Sequence, residues 1–216
     1  MDGSIRVWDL AKRSIIRTIV VGDQVGTMDV RLIPGDARHR AFTAGMNDNQ
    51  LYLVDTQGGT ATAVFDFGPY AVTAVPAPPI WPQLLLINKA GTRVFITLNF
   101  AGQAGKVVML DIMDPEHPQA VGEEPEAGVV DLGLNSGPHY LRLTSDEKRL
   151  VVSDYFLVED LVPSGVINAE GDMKIHVINV FSDHLERDKH FNLDFSHDIP
   201  TGPAHPHGVV LLPTDD

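Results

Sequence analysis

Histidine is the residue type with which this chain could do chemistry, because its nine histidines are concentrated towards one end. Six of them lie in the last fifth of the chain: His176, His184, His190, His197, His205 and His207. Neutral imidazole binds zinc, copper and iron, and a His-x-His pair offers two ligands when flanking prolines hold its backbone rigid. Pro203 and Pro206 do this for His205 and His207, which are therefore candidate metal ligands. The alternative is a proline-rich loop with two surface histidines.

His139 is the third candidate ligand. It follows Gly137-Pro138 and precedes an apolar strand, as the loop at His205 and His207 does. If both strands lie innermost in adjacent blades of one fold, the two loops would bring their imidazoles together. The predicted metal ligands are therefore His207, His205 and His139, although His139 could instead be a loop histidine that caps a turn. His117, His184 and His190, beside turns or on presumed outer strands, are expected to be solvated.

A strand that recurs four times provides the framework for these loops. Each copy is a short β-branched or aliphatic run that ends in, or just after, Asp or Asn, and the copies are Ile5–Leu10, Leu51–Thr56, Val107–Ile112 and Ile175–Val180. Repeats of roughly 40 to 50 residues with four strands each are typical of a β-propeller. The sequence therefore predicts an all-β fold, a partial β-propeller of about three full blades plus half blades.

The predicted blades divide the chain as one propeller domain over residues 1–216, or as the C-terminal part of one. The expected blades are 1–22 (partial), 27–68, 83–124, 138–196 and 205–213 (partial). The last full blade contains an insertion, Phe156–Gly171, and long propeller loops often contact ligands. Two outcomes remain open at this point, a small four-bladed propeller or the C-terminal half of a longer one.

Composition excludes several classes of function. The net charge of −13 argues against nucleic acid, which is bound through Lys and Arg. The absence of cysteine excludes disulfides, thiolate metal sites and thiol nucleophiles. No apolar run approaches the roughly 18 residues of a membrane span, and the first residues do not resemble a signal peptide, so a cytoplasmic location is expected. A protein partner and the oligomeric state are left open.

Several motifs in order resemble the C-terminal half of the selenium-binding protein family, whose members include methanethiol oxidases. The most specific are Asp111-Ile112-Met113-Asp114-Pro115 with Pro118, Gly137-Pro138-His139-Tyr140-Leu141, and Gly202-Pro203-Ala204-His205-Pro206-His207-Gly208. The resemblance covers nearly the whole chain, and its strands are less specific than its turns.

The resemblance implies a seven-bladed propeller that oxidises methanethiol, a small thiol, with O2 to formaldehyde, hydrogen sulfide and hydrogen peroxide. It implies a histidine-bound copper, with His207 matching the family's late histidine. Selenium is implied by the resemblance alone, since the chain has no cysteine. The family's remaining histidines belong to an N-terminal half that this chain does not contain, so the chain by itself can be inactive.

Two other functions compete with this interpretation. Val7-Trp8-Asp9 and the acidic composition suggest a noncatalytic WD-repeat scaffold for protein interactions, but Trp-Asp occurs only once. A propeller hydrolase of the lactonase kind would use a cation bound by carboxylates. The sequence disfavours it because Asp and Glu do not cluster on the presumed inner strands.

Overall fold

The computed structural model describes residues 3–70, 80–100, 104–124, 126–134, 136–155 and 172–212. Within these ranges the chain forms antiparallel sheets in series and one short 3-10 helix, Gly68–Tyr70. The predicted all-β class, a partial β-propeller, is confirmed. The predicted insertion Phe156–Gly171 lies outside the described residues.

Four sheets follow one another along the sequence. The first consists of β1 (Ser4–Asp9) and β2 (Ser14–Val20). The second consists, in spatial order, of β3 (Thr27–Leu32), β4 (Arg40–Gly45), β5 (Gln50–Asp55) and β6 (Thr60–Asp66). The third consists of β7 (Ile80–Ile87), β8 (Arg93–Phe100), β9 (Ala104–Asp111), β10 (Gln119–Ala120) and β11 (Val129–Leu134), the last of which pairs with β9. The fourth consists of β12 (Pro138–Leu143), β13 (Arg149–Asp154), β14 (Lys174–Val180), β15 (Leu185–Arg187) and β16 (Leu193–Asp194), the last of which pairs with β14.

The Asp that ends the recurring strand has a structural task. Asp9 Oδ1 accepts the N–H of Lys12 at 2.9 Å, and Asp55 Oδ1 accepts the N–H of Gly58 at 2.6 Å. A carboxylate that bonds the backbone two or three residues ahead forms the turn between antiparallel strands. The Asp that ends the recurring strand is therefore explained by the turn that follows the strand. The carboxylates of Asp9 and Asp55 are already hydrogen-bonded within their own turns.

Two segments differ from the sequence prediction. β11 was not predicted, because Asp131 and Gly133 interrupt its apolar pattern. Conversely, Gly208–Leu212 was predicted to start a strand, and it pairs with no sheet in the described structure. Its side chains still alternate: Val209 and Leu211 pack against Val151, Ile175 and Val177, whereas Val210 and Leu212 are exposed.

The chain divides into two compact units. The first contains Met1–Val94 and Asp111–Gln119, and the second contains Phe95–Leu110 and Ala120–Asp216. The prediction of one propeller domain stays a prediction. Among the described residues, no helix is both long enough and apolar enough to span a membrane.

Candidate metal centre

Strands β13 and β14 carry polar side chains where their sequences are otherwise apolar. Asp154 ends the run Leu150–Ser153, and His176 lies between Ile175 and Val177. The antiparallel register pairs Val152 with His176, so the last residues of β13 lie beside the first residues of β14. Asp172, two residues before β14, comes to the same end of the sheet.

Asp154, Asp172 and His176 form a compact group in the second unit. His176 Nε2 lies 3.5 Å from Asp154 Oδ2 and 3.4 Å from Asp172 Oδ1. The side chains of Asp154 and His176 are 0% and 1% exposed, and that of Asp172 is 13% exposed. Across the part of the chain that the structure describes, this is the one group of three or more His, Asp or Glu residues whose ligand atoms lie within 4.8 Å of one another.

The polar atoms of this group are only partly satisfied. Asp154 Oδ1 accepts the N–H of Gly137, and Asp172 accepts the N–H of Lys174 at 3.1 Å and its Nζ at 3.3 Å. Asp154 Oδ2 and His176 Nε2 are buried and form no hydrogen bond to a described residue, so their polar contacts are the ion pairs of 3.4–3.5 Å within the group. A buried polar atom whose hydrogen-bonding capacity is not filled costs about 1–3 kcal/mol, and a ligand placed between these atoms would remove that cost.

Burial and mutual contact shift the pKa values of the three groups. Burial raises the pKa of Asp154 to about 7, against the opposing effect of nearby His176. For Asp172, burial is outweighed by His176 and Asp154, which lower its pKa. For His176, burial is likewise outweighed by the two carboxyl groups, which raise its pKa. Without a metal, Asp154 therefore keeps its proton at pH 6, where an aspartate with an ordinary pKa has lost it.

The donor set fits a divalent transition metal. Zinc binds His nitrogen and Asp oxygen at about 2.0–2.2 Å, so neighbouring ligands of a tetrahedral site lie about 3.3–3.6 Å apart. The two measured separations, 3.4 and 3.5 Å, fall in that range. Three protein ligands with the fourth position open are typical of a catalytic rather than a structural zinc site. Asp172 is the most exposed of the three side chains.

The structure brings together two of the three predicted histidine ligands. The rings of His139 and His207 stack with centroids 5.0 Å apart, and the ring of Tyr155 lies 4.1 Å from that of His207. Ser153 Oγ donates to the His207 carbonyl oxygen at 3.0 Å and so attaches the late loop to β13. His205 is half-buried, and its buried Nδ1 has no partner among the described residues.

His139, His205 and His207 do not form a three-ligand group of the kind made by Asp154, Asp172 and His176. Metal binding by these histidines stays a prediction. Of the histidines expected to be solvated, His117 is exposed and bonds Asp114 at 2.9 Å, a contact that raises the pKa of His117.

The stack of His139, Tyr155 and His207 (the ring cluster) lies at the same end of the fourth sheet as the metal ligands. Pro138 of β12 pairs with Asp154, and Tyr155 follows Asp154 directly. His139, Tyr155 and Asp154 are therefore held by the same ends of β12 and β13, whereas Asp172 and His176 come from the start of β14 and His207 from the loop after β16. Aromatic faces beside a few converging polar groups are typical of small-molecule sites.

A cleft of about 500 Å³ in the first unit is a weaker candidate. Its cations are already paired: Arg38 contacts Asp55 at 3.0 Å and Glu116 at 3.1 Å, and Arg40 contacts Asp36 at 2.8 Å. A ligand would have to displace these ion pairs, so we place the candidate site at β13 and β14.

Known structures share the fold of this chain. The periplasmic gluconolactonase of Pseudomonas aeruginosa matches with a TM-score of 0.56 and 11% identity, over 85% of this chain and 44% of that one. A putative 6-phosphogluconolactonase from Bacteroides uniformis matches with a TM-score of 0.53 and 14% identity, over 90% and 50%. A luciferin-regenerating enzyme matches with a TM-score of 0.55 and 10% identity, over 93% and 57%. The chain thus spans about half the length of these structures.

No protein-family model matches the chain, and no curated protein matches it. The predicted membership of the selenium-binding family was therefore wrong, as was methanethiol oxidation at copper, because the structural matches are lactonase-like and related propellers. The WD-repeat alternative gains no support either. The motif Asp111–Pro115, on which the predicted family partly rested, forms a turn in the structure. Asp111 Oδ1 accepts the N–H of Met113, and Asp114 Oδ1 accepts the N–H of Glu116.

Proposed function

We propose that this chain is part of a metal-dependent propeller hydrolase of the lactonase kind, in which Asp154, Asp172 and His176 hold a divalent cation. The observation that carries the proposal is the pair of buried ligand atoms, Asp154 Oδ2 and His176 Nε2, which lie 3.5 Å apart and form no hydrogen bond to a described residue. The sequence disfavoured a carboxylate-bound cation because no acidic cluster was expected on inner strands. Asp154 and His176 lie on the second and third strands of their sheet, β13 and β14, and Asp172 lies two residues before β14.

The reaction that suits such a centre is the hydrolysis of a cyclic ester. A bound divalent cation polarises an ester carbonyl and lowers the pKa of water to about 7, which supplies hydroxide at neutral pH. Hydroxide adds to the carbonyl carbon, the ring C–O bond breaks, and the ring oxygen leaves as a hydroxyl after taking up a proton. One water is consumed and one hydroxy acid is formed, so no oxidant or reductant is needed.

The residues of this chain have separate parts in that reaction. Asp154 and His176 are held rigid by burial, and the N–H of Gly137 fixes the second oxygen of Asp154. Asp172 is oriented by Lys174, whose ammonium balances part of its charge. The ring cluster offers flat apolar faces at the same end of the sheet, against which the carbon skeleton of a lactone ring can pack. The names of the structural relatives agree with this substrate class.

The proposal is tested by lactone hydrolysis with and without metal. Protein stripped with a chelator is reloaded with Zn²⁺ or Mn²⁺, and proton release from glucono-1,5-lactone is followed at constant pH. We expect the reloaded protein to exceed the spontaneous rate at least tenfold, and both His176→Ala and Asp154→Asn to lose that excess. Glu123→Gln, an exposed acidic position, is the control that keeps it. A reloaded protein that binds metal but does not exceed the spontaneous rate would rule out the lactonase function.

A cytoplasmic site of action completes the proposal. Cysteine-free composition neither requires nor excludes it, and one structural relative is described as periplasmic. Cell fractionation with an antibody against the chain distinguishes the two compartments.

A further inference from the structure

We propose that Asn99 is a further residue of the metal centre, where its Oδ1 atom accepts a hydrogen bond from the water molecule that attacks the ester. The inference rests on the proposed function, because it names the residue that orients the nucleophile of that reaction. Asn99 is the second-last residue of β8 and belongs to the second unit, as the three proposed ligands do. It is completely buried.

The first argument is that β9, the strand after β8, lies against the face of the fourth sheet that carries the ligands. Val152 pairs with His176, and Asp154 lies two residues after Val152, so the three side chains share one face. Pro138 pairs with Asp154 and shares that face. A Cβ atom added to Gly105 of β9 would overlap Cδ of Pro138, so β9 lies directly against it. The ligands are therefore directed towards the third sheet.

The second argument is the contact that Asn99 makes with the start of β12. Asn99 Nδ2 donates to the Pro138 carbonyl oxygen at 2.9 Å in a buried hydrogen bond. The N–H of Gly137 donates to Asp154 Oδ1. The dipeptide Gly137-Pro138 thus bonds Asn99 through its last carbonyl group and Asp154 through its first N–H. The same short piece of backbone holds both side chains, which places Asn99 beside the proposed metal centre.

The third argument is the state of the other amide atom, Asn99 Oδ1. It is buried and forms no hydrogen bond to a described residue, and the same is true of Asp154 Oδ2 and His176 Nε2. The bond from Nδ2 to Pro138 fixes the amide, because a flipped amide would set its oxygen against the Pro138 carbonyl oxygen. A buried acceptor that stays unfilled is destabilising, so a ligand that supplies a donor at this position would be favoured.

The chemistry of an amide oxygen identifies that donor. Such an oxygen accepts hydrogen bonds and does not donate them, so its partner must carry an O–H or N–H group. The ester group of a lactone has neither, whereas a water molecule held by the cation has two O–H bonds. When one O–H is directed to Asn99, the free lone pair of the water oxygen is held in a fixed direction for attack on the ester carbonyl carbon. Asn99 orients the water and takes up no proton, so the balance of the proposed reaction is unchanged.

The experiment titrates Co²⁺-loaded protein with azide and follows the visible absorption of the metal. Co²⁺ binds the same nitrogen and oxygen ligands as Zn²⁺, and azide displaces water from the metal but has no proton to donate. In the wild type, azide has to displace a water that is bonded to Asn99. In Asn99→Leu that bond is absent, so we expect the dissociation constant of azide to fall by about three- to tenfold, the value of one hydrogen bond.

A purely structural role for Asn99 predicts the opposite change. If Asn99 only supported β12, its loss would loosen Asp154 and weaken the binding of both the metal and azide. Thr97→Val is the matched control, since Thr97 Oγ1 donates from the same face of β8 to the His139 carbonyl oxygen at 3.4 Å, and it should leave azide binding unchanged. Asn99→Ala, which adds no bulk, should give the same tightening as Asn99→Leu. An azide dissociation constant that is unchanged or raised in both Asn99 variants would overturn the proposal.

Hydrolysis of two lactones distinguishes water from a substrate hydroxyl group as the donor to Asn99. With glucono-1,5-lactone and with δ-valerolactone, which has no hydroxyl group, Asn99→Leu should lower kcat by about tenfold or more and leave KM unchanged. A rise in KM confined to glucono-1,5-lactone would assign Asn99 to the substrate and overturn its assignment to water. A wild type that binds Co²⁺ and azide but hydrolyses neither lactone would refute the proposed function alone, because the azide titration still decides whether Asn99 bonds the water at the metal.

Discussion

At the scale of residues, the three proposed ligands differ in how visible they are in the sequence. His176 is visible, since an imidazole inside an apolar strand needs a partner when buried. Asp154 ends an apolar strand in the same way as Asp55, whose carboxylate serves its own turn, and the sequence does not distinguish the two. Only the register shows that Asp154 is directed to Gly137 and His176 instead. Asp172 is joined to them by the pairing of β13 with β14, which no local pattern encodes.

The pKa shifts of these residues predict how the stability of the metal-free protein changes with pH. Asp154 binds its proton up to about pH 7 when folded, but only to about pH 4 when unfolded. His176, whose folded pKa is also raised, adds to the effect above about pH 6.5. The folded state thus holds more protons in this window, so the free energy of unfolding should fall by on the order of a few kcal/mol from pH 5 to 8.

Urea denaturation of chelator-treated protein at pH 5, 6.5 and 8 measures how the free energy of unfolding changes with pH. The lowered pKa of Asp172 acts only at more acidic pH, where it stabilises the folded state as pH rises towards 4. Asp154→Asn should remove the part of the decline due to Asp154. A metal-free wild type that gains stability from pH 5 to 8 would contradict the assigned directions, whereas metal-loaded protein should gain it because its ligands must be deprotonated.

At the scale of elements, the sequence predicted the positions of most strands, but it did not predict which residues pair across neighbouring strands. Turn aspartates and alternating apolar residues place β3 to β6 well, because both signals are local. β11 was missed because its pairing with β9 compensates for a weak local pattern. Gly208–Leu212 has a strand pattern but pairs with no strand in the part of the chain that the structure describes.

The turn between β1 and β2 provides a test of local backbone strain. Arg13 has a φ of 52°, in the left-handed region that glycine adopts at little cost. Arg13→Gly should therefore raise the free energy of unfolding by about 0.5 kcal/mol, the relief of strain less the greater entropy of the unfolded chain. Ala11→Gly, in the same exposed turn without a positive φ, should lower it by a similar amount. Equal effects of the two substitutions in urea denaturation would show that the turn is not strained at Arg13.

At the scale of the whole molecule, composition and repeat length predicted the fold class correctly. The resemblance of short motifs, in contrast, predicted the wrong family. The repeat is a property of many strands and survives divergence. The motifs Asp111–Pro115 and Gly202–Gly208 are turns and proline-rich loops, whose residues are constrained by backbone geometry in any fold of this class. Function therefore has to be argued from the buried group on β13 and β14, which those motifs do not include.

Calorimetric titration of chelator-treated protein with Zn²⁺ measures whether Asp154, Asp172 and His176 bind a divalent cation. We predict one site per chain at pH 7.5, a loss of affinity of at least a hundredfold in Asp154→Asn and in His176→Ala, and unchanged binding in Glu123→Gln. Tight binding that survives both ligand substitutions, or no binding by the wild type, would show that these three residues do not form a metal site.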